Sequence, residues 1–193
     1  MRIDPSMACI IVLYLLTTQV VSASDDRVSE ALSVPCNGCH GPNGVSPGPA
    51  LPSIAGLNAE YMNKVLEQYK NGSRKGTIMN RLARGYKIYE LRKIARYFAR
   101  QPWTYVDSNL EATLVERGRK LHTKHCAECH EDSGRYQDQD TPRLAGQRPV
   151  YLELQLHRYL NREIPQPSDM KEKLAMVQKE DFGALSAFYS SVK

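Results

Sequence analysis

Cys36-Asn37-Gly38-Cys39-His40 and Cys126-Ala127-Glu128-Cys129-His130 are two copies of one frame, C-x-x-C-H. The frame suits one chemistry above others. Its two thiols can add across the two vinyl groups of a single porphyrin, and the histidine that follows then reaches the iron from the proximal side. Cys36, Cys39, Cys126 and Cys129 are therefore candidates for covalent attachment of two haem c groups, with His40 and His130 as axial iron ligands. Two other uses of the cysteines fit less well. One zinc held by both pairs would have to span 86 intervening residues and would leave both histidines unexplained. A thioredoxin-like pair would not normally come twice.

A low-spin electron carrier needs a sixth iron ligand, and a methionine thioether stabilises ferrous iron and raises the potential. Met62, Met79, Met170 and Met176 are the candidates beyond the first 23 residues. Met62 falls on a helical face and reads as packing. Met79 lies in Thr77-Ile78-Met79-Asn80, a loop between helices from which a side chain can swing over the open haem face. Met170, in Pro167-Ser168-Asp169-Met170, is its equivalent at an offset of 91, whereas Met176 has no counterpart and stays as a rival. His122, His125 and His157 are the other possible ligands; histidines so placed are more often packing or solvent-facing residues. The carbonyls of Pro52 and Pro142 could accept the Nδ1 protons of the two proximal histidines, though both prolines also read as plain turn residues.

The offset between the two frames, 90 residues, recurs downstream. Pro52-Ser53-Ile54-Ala55-Gly56 matches Pro142-Arg143-Leu144-Ala145-Gly146, and Tyr61, Leu66, Tyr69 and Asn71 match Tyr151, Leu156, Tyr159 and Asn161. Tyr97-Phe98 corresponds to Phe188-Tyr189 at 91. Two copies in tandem imply two domains of similar fold, one haem each: residues 24–102 and 111–193, joined by a linker at 103–110 where Pro102, Asp107, Ser108 and Asn109 interrupt the pattern.

The elements that must position these residues are helices. Apolar residues recur at helical spacing over 60–69, stopped by Asn71-Gly72, and over 86–100, 115–125, 150–160 and 180–190. No convincing alternating strand appears. Each copy has only about 80 residues, where a core of side chains alone is marginal, so a buried porphyrin would supply much of the missing apolar surface.

The N-terminus sets the expected compartment. Residues 8–21 form a short apolar stretch after Arg2, and Val21-Ser22-Ala23 has small-residue cleavage geometry, so residues 1–23 read as a signal peptide and the mature chain as periplasmic. An uncleaved anchor is the alternative. The chain has 193 residues, 41% apolar and 24% charged, with 26 basic against 21 acidic side chains. That composition describes a soluble globular protein with no stable membrane insertion after cleavage, and it does not call for a nucleic-acid partner. Charge is nonetheless uneven: residues 24–102 carry 12 basic and 6 acidic side chains, residues 103–193 carry 13 and 14. Nine basic residues lie between Arg74 and Arg100 with Glu90 as the single acid. They could be a solvated face that also offsets haem propionates, or a docking surface for an acidic partner that includes Arg74, Lys75, Arg81, Arg84 and Lys87.

The two C-x-x-C-H frames, P-S-I-A-G with P-R-L-A-G, and the paired methionine segments resemble the dihaem cytochromes of the cytochrome c4 group. The similarity is closer to the dihaem subunit of flavocytochrome c sulfide dehydrogenase, on Thr77-Ile78-Met79-Asn80-Arg81-Leu82-Ala83-Arg84-Gly85-Tyr86, Leu144-Ala145-Gly146-Gln147 and Met170-Lys171-Glu172-Lys173. That resemblance implies an all-α fold of two tandem class I cytochrome c domains. It further implies an electron-transfer subunit whose partner, an FAD-containing flavoprotein, oxidises sulfide, with a downstream cytochrome or oxidase as acceptor. The chain has no G-x-G-x-x-G fingerprint and no spare cysteine pair, so substrate chemistry falls to the partner. A free-standing cytochrome c4-like carrier to a terminal oxidase is the alternative. A dihaem enzyme would need an exchangeable iron position, which two placed methionines oppose.

Overall fold

The computed structural model describes residues 25–193; the expected signal peptide, 1–23, lies outside the described residues. Among the described residues ten α-helices follow one another: α1 (25–33), α2 (Asn37–His40), α3 (Ala59–Asn71), α4 (Met79–Arg84), α5 (Ile88–Ala99), α6 (Ala112–His125), α7 (Glu131–Gly134), α8 (Pro149–Leu160), α9 (Ser168–Ala175) and α10 (Phe182–Ser191). Among the described residues there is no strand, and no helix is long and apolar enough to cross a membrane.

Two apolar clusters form, one in each half. In the first half α3 packs on α4 and α5. The i, i+3, i+4, i+7 series Leu91, Ile94, Ala95 and Phe98 of α5 meets Leu57 and Met62 there, with Leu32, Cys36, Ile54, Leu66, Tyr86, Tyr97 and Trp103 partly buried around them. Helix α1 is tied to α5 by ion pairs, Lys93 to Asp25 and Arg100 to Asp26. In the second half α10 packs on α6 and α8. Phe182, Leu185, Phe188 and Tyr189 meet Leu152, Leu174 and Val177, with Leu121, Cys126, Leu144, Leu156, Tyr159, Leu160 and Val192 around them. The α6–α10 crossing is close enough that a Cβ at Gly118 would lie 2.0 Å from the Ala184 carbonyl oxygen, so only glycine fits.

The repeat seen in the sequence is realised in backbone hydrogen bonds. The Gly44 carbonyl accepts from Ile54 and Ala55 at 2.8 and 3.1 Å, and the Gly134 carbonyl accepts from Leu144 and Ala145 at 2.8 and 2.9 Å. Gly56 N–H donates to the Phe98 carbonyl and Gly146 N–H to the Tyr189 carbonyl, both at 2.8 Å. Each P-x-x-A-G turn is thus fastened between the loop after its C-x-x-C-H frame and its last long helix.

The halves are joined by specific polar contacts. Gln147 pairs with the backbone of Ser53 and Gln137 with Gly56 and Asn58. Arg148 Nε donates to the Gly48 carbonyl at 3.1 Å, Tyr151 N–H to the Pro49 carbonyl at 3.0 Å, and Lys64 pairs with Asp140 at 2.6 Å. Trp103, between α5 and α6, packs on the first cluster and carries the Arg143 guanidinium 4.9 Å above its ring.

Candidate haem sites

Pro35 opens a 3-10 turn over Val34–Cys36 that runs directly into α2, so Cys36, Cys39 and His40 share two consecutive turns. Gly41, at φ 77°, ends α2 in a conformation that favours glycine. Cys36 is partly buried and Cys39 exposed, and both thiols are free. Burial pushes the Cys36 thiol up, which keeps it protonated until it is consumed. His40 is held below the ordinary histidine range by burial, against the opposing pull of its backbone hydrogen bond. A neutral ring donates Nδ1–H to the Pro52 carbonyl at 2.8 Å and leaves the Nε2 lone pair for a metal. The expected role of the Pro52 carbonyl is thereby met.

The second frame differs in detail. Helix α6 ends at His125; Cys126 N–H closes on the His122 carbonyl at 2.8 Å and His130 N–H on the Cys126 carbonyl at 2.9 Å. Cys126 is partly buried, Cys129 exposed, and both are again free. His130 Nδ1 is buried with no hydrogen-bond partner. The Pro142 carbonyl does not take the part that Pro52 plays, because the two turns hold their histidines differently. Burial, then the neighbouring His122, pushes His130 down to about 4.

The surroundings of the second frame are also more polar. His122 is buried, stacks 5.0 Å from Phe188, and has Nδ1 3.0 Å from the Tyr189 hydroxyl, which is hydrogen-bonded to the Cys126 thiol as well. At the equivalent places the first half has Leu32 and Phe98, both apolar. His157 packs 5.0 Å from Phe182 and His125 is partly buried at the end of α6. His122 and His157 are thus packing residues.

Of the methionines, Met62 is buried in the first cluster. Met79 is not in a loop as its sequence suggested: it is the first residue of α4, partly buried, with the exposed Ile78 and Leu82 on either side. Helix α4 has only six residues, too few for an apolar period to show in the sequence. Met170 is likewise partly buried at the start of a short helix, α9, whereas Met176 is 62% exposed.

The expected basic surface needs one correction. Arg74 is buried, 3% exposed, because it lies at the junction of α3 and α8, where Gln155 of α8 accepts from Nη2 at 3.0 Å. Lys75, Arg81, Arg84 and Lys87 are exposed. Sequence reasoning also missed Gln137, and it noted Gln147 without seeing that its side chain crosses between the halves.

The donor set fits covalent haem at both frames. Each offers two free thiols and a partly buried, neutral histidine within two turns, beside partly buried apolar side chains that a planar apolar group would cover. Among the described residues no three His, Cys, Asp or Glu side chains gather as a metal site, so the two cysteine pairs do not come together. Over 185 residues the chain is 31% identical to cytochrome c4 of Pseudomonas aeruginosa, covering 90% of this chain and 91% of that protein. The chain belongs to the cytochrome c4 family.

Its fold agrees with this. The crystal structure of reduced recombinant cytochrome c4 from Pseudomonas stutzeri matches with a TM-score of 0.77 at 26% identity, covering 86% of this chain and 97% of that one. The cytochrome subunit of sulfide dehydrogenase from Chlorobaculum tepidum is 48% identical over 69 residues, which is 36% of this chain and 62% of that protein. No protein-family model matches. As a c4-family cytochrome the chain is an all-α electron carrier of two class I cytochrome c domains with two haem c groups, and not an enzyme.

Proposed function

We propose that this c4-family cytochrome is the electron-accepting subunit of a sulfide-oxidising flavocytochrome. It takes electrons from an FAD-containing flavoprotein and passes them to a downstream cytochrome or oxidase in the periplasm. The observation that carries the reading is the 48% identity over 69 residues with a sulfide dehydrogenase cytochrome subunit, against 31% over 185 residues with a cytochrome c4. Two covalently attached haems supply two one-electron stations, which suits a donor that releases electrons in pairs.

The residues proposed to hold them are Cys36, Cys39, His40 and Met79 in residues 24–102, and Cys126, Cys129, His130 and Met170 in residues 111–193. The segment 103–110 connects the two and residues 1–23 direct export. Burial favours this choice of methionines, since Met79 and Met170 are partly covered and Met176 is not. A donor would meet the α4 end of the first domain. There Ile78, Leu82, Ile88 and Tyr89 are 39–53% exposed, and Arg81, Arg84, Lys87 and Arg96 form no ion pair among the described residues. An apolar patch with a basic rim fits an acidic protein partner.

The test is to look for a flavoprotein gene beside this chain's gene and to co-express the two. A stable complex whose haems are reduced by sulfide supports the reading. A chain that purifies alone and is reduced only by unrelated donors indicates the second reading, a free-standing carrier to a terminal oxidase, which the similarity to cytochrome c4 along nearly the whole chain favours.

A further inference from the structure

The α6–α10 crossing of the second domain holds a polar pair where the first domain has an apolar one. Gly44 and Gly134 are repeat-related, and a Cβ on either would lie 2.8 Å from a ring of the last long helix, Phe98 in the first domain and Tyr189 in the second. The two rings therefore occupy the same place in their domains, and they differ by one hydroxyl. Tyr189 is 4% exposed, so that hydroxyl lies inside the protein. A second position is changed to match. Leu32 is answered 90 residues on by His122, buried likewise, whose Nδ1 lies 3.0 Å from the Tyr189 oxygen.

A buried hydroxyl beside a buried imidazole costs free energy that the Leu32 and Phe98 pair avoids, unless each group finds a partner. The hydroxyl has a partner on both sides, since it is also hydrogen-bonded to the Cys126 sulfur. The cluster is held firmly. His122 stacks 5.0 Å from Phe188 and stands edge-on to the Tyr189 ring at 5.4 Å, and Cys126 N–H closes on the His122 carbonyl at 2.8 Å. Burial keeps His122 neutral, and burial followed by the neighbouring Cys126 pushes Tyr189 well above the ordinary tyrosine range, so the hydroxyl keeps its proton. In the first domain Cys36 packs against the apolar cluster, where the Phe98 ring offers no donor.

We propose that Tyr189 donates a hydrogen bond to the Cys126 sulfur of the attached second haem, that His122 is the positioning residue that aims this hydroxyl, and that the pair raises the potential of the second haem alone. A sulfur that has added to a vinyl group carries no proton and can only accept, so the Tyr189 O–H is the donor and His122 Nδ1–H donates to the oxygen behind it. Both dipoles then turn their positive ends toward the haem, which favours the reduced state. The inference rests on covalent attachment at Cys126 and is independent of the flavoprotein partner.

The test uses the haem-loaded full chain. Resonance Raman reads the thioether C–S stretching bands in water and after full exchange into D2O, and spectroelectrochemical titration reads both midpoint potentials. One C–S band is expected to shift on deuteration in the wild type and in His122→Gln, which can keep the hydrogen bond to Tyr189, and in neither Tyr189→Phe nor His122→Leu. Tyr189→Phe is expected to lower the reduction equilibrium of one haem about threefold, a fall of about 28 mV for one electron, and to leave the other unmoved. That variant strips His122 of its partner. The double replacement His122→Leu with Tyr189→Phe copies the pair the first domain already packs at this crossing, and it is expected to give the same fall. No deuterium shift in the wild type, or wild-type potentials in the double variant, overturns the proposal. Mass spectrometry of the haem peptide reads the attachment separately: a bare Cys126 overturns the attachment and this inference together, whereas an attached Cys126 without a deuterium shift overturns this inference alone.

Discussion

The carboxamide of Gln147 and the backbone of Ser53 form a closed pair: Ser53 N–H donates to Gln147 Oε1 at 2.8 Å and Gln147 Nε2 donates to the Ser53 carbonyl at 2.9 Å. Both residues are buried, and the pair joins the turn of one domain to the turn of the other. Gln137 repeats the motif, reading Gly56 and Asn58 at 2.9 and 2.8 Å. In each pair the second domain supplies the side chain and the first supplies backbone, an asymmetry inside a symmetric repeat.

Gln147→Leu leaves two buried backbone groups of Ser53 without partners, at about 1–3 kcal/mol each. The domains should then unfold less cooperatively. Denaturant titration followed at the two haem absorptions should give a lower midpoint and separated transitions for the variant, where the parent unfolds in one. A single transition at the parent midpoint would show that the pair does not couple the domains.

The polar cluster of the second domain carries a pH dependence. Burial pushes His122 below its ordinary 6.5, so the folded chain binds its proton less readily than the unfolded chain does. A depressed histidine contributes stability that is fully present above pH 6.5 and is lost as pH falls through its folded value. His122→Gln, which can keep a hydrogen bond to Tyr189, should flatten that part of the stability profile in the loaded protein, where the axial histidines are proposed to be held by iron. Thermal melts from pH 7 downward check this, and parallel profiles would assign the acid sensitivity elsewhere.

How much of this was readable beforehand depended on length and on contact. Helices α3, α5, α6 and α8 announced themselves because ten or more residues each show an apolar period, and Asn71-Gly72 marked a stop that the structure makes with Gly72 at φ 84°. Helix α1 offers a single i, i+3, i+4 set, Val28, Ala31 and Leu32, over 25–33, and α4 and α9 bury few side chains, so none of the three stood out as a sustained period. The haem frames were legible because covalent chemistry fixes residue type and spacing together. Arg74 was not. Its neighbours Lys75 and Arg81 look alike in sequence and are exposed, and only the approach of α8 from 81 residues away makes Arg74 different.

The ligand proposal separates the methionines. Oxidised haem with His/Met ligation shows a weak sulfur-to-iron charge-transfer band in the far red, and each of Met79→Ala and Met170→Ala should remove about half of it and lower the potential of its own haem. Met176→Ala should leave the band intact, as befits a side chain that is 62% exposed. Loss in Met176→Ala with no loss in Met170→Ala would move the ligand to Met176.

The docking proposal is tested by charge. Among the basic residues in and just after α5, Lys93 and Arg100 are engaged by Asp25 and Asp26 of α1, and Arg92 lies 3.8 Å from Glu67, so their charges are partly spent inside the domain. Arg81, Arg84 and Lys87 are not, and they border Ile78 and Leu82, which stand one helical turn apart beside Met79. Electrostatic complementarity acts mainly on encounter rates, and the screening length shrinks to about 8 Å at physiological salt. The triple reversal Arg81→Glu, Arg84→Glu, Lys87→Glu should therefore slow sulfide-driven haem reduction by the flavoprotein about threefold to tenfold at low salt, and the gap should close as salt is added. Leu82→Ser should act differently, weakening the assembled complex at all salt concentrations, because it removes apolar contact rather than charge. Equal rates and equal complex yield in both variants would move the docking surface off the first domain and leave the dihaem carrier as it stands.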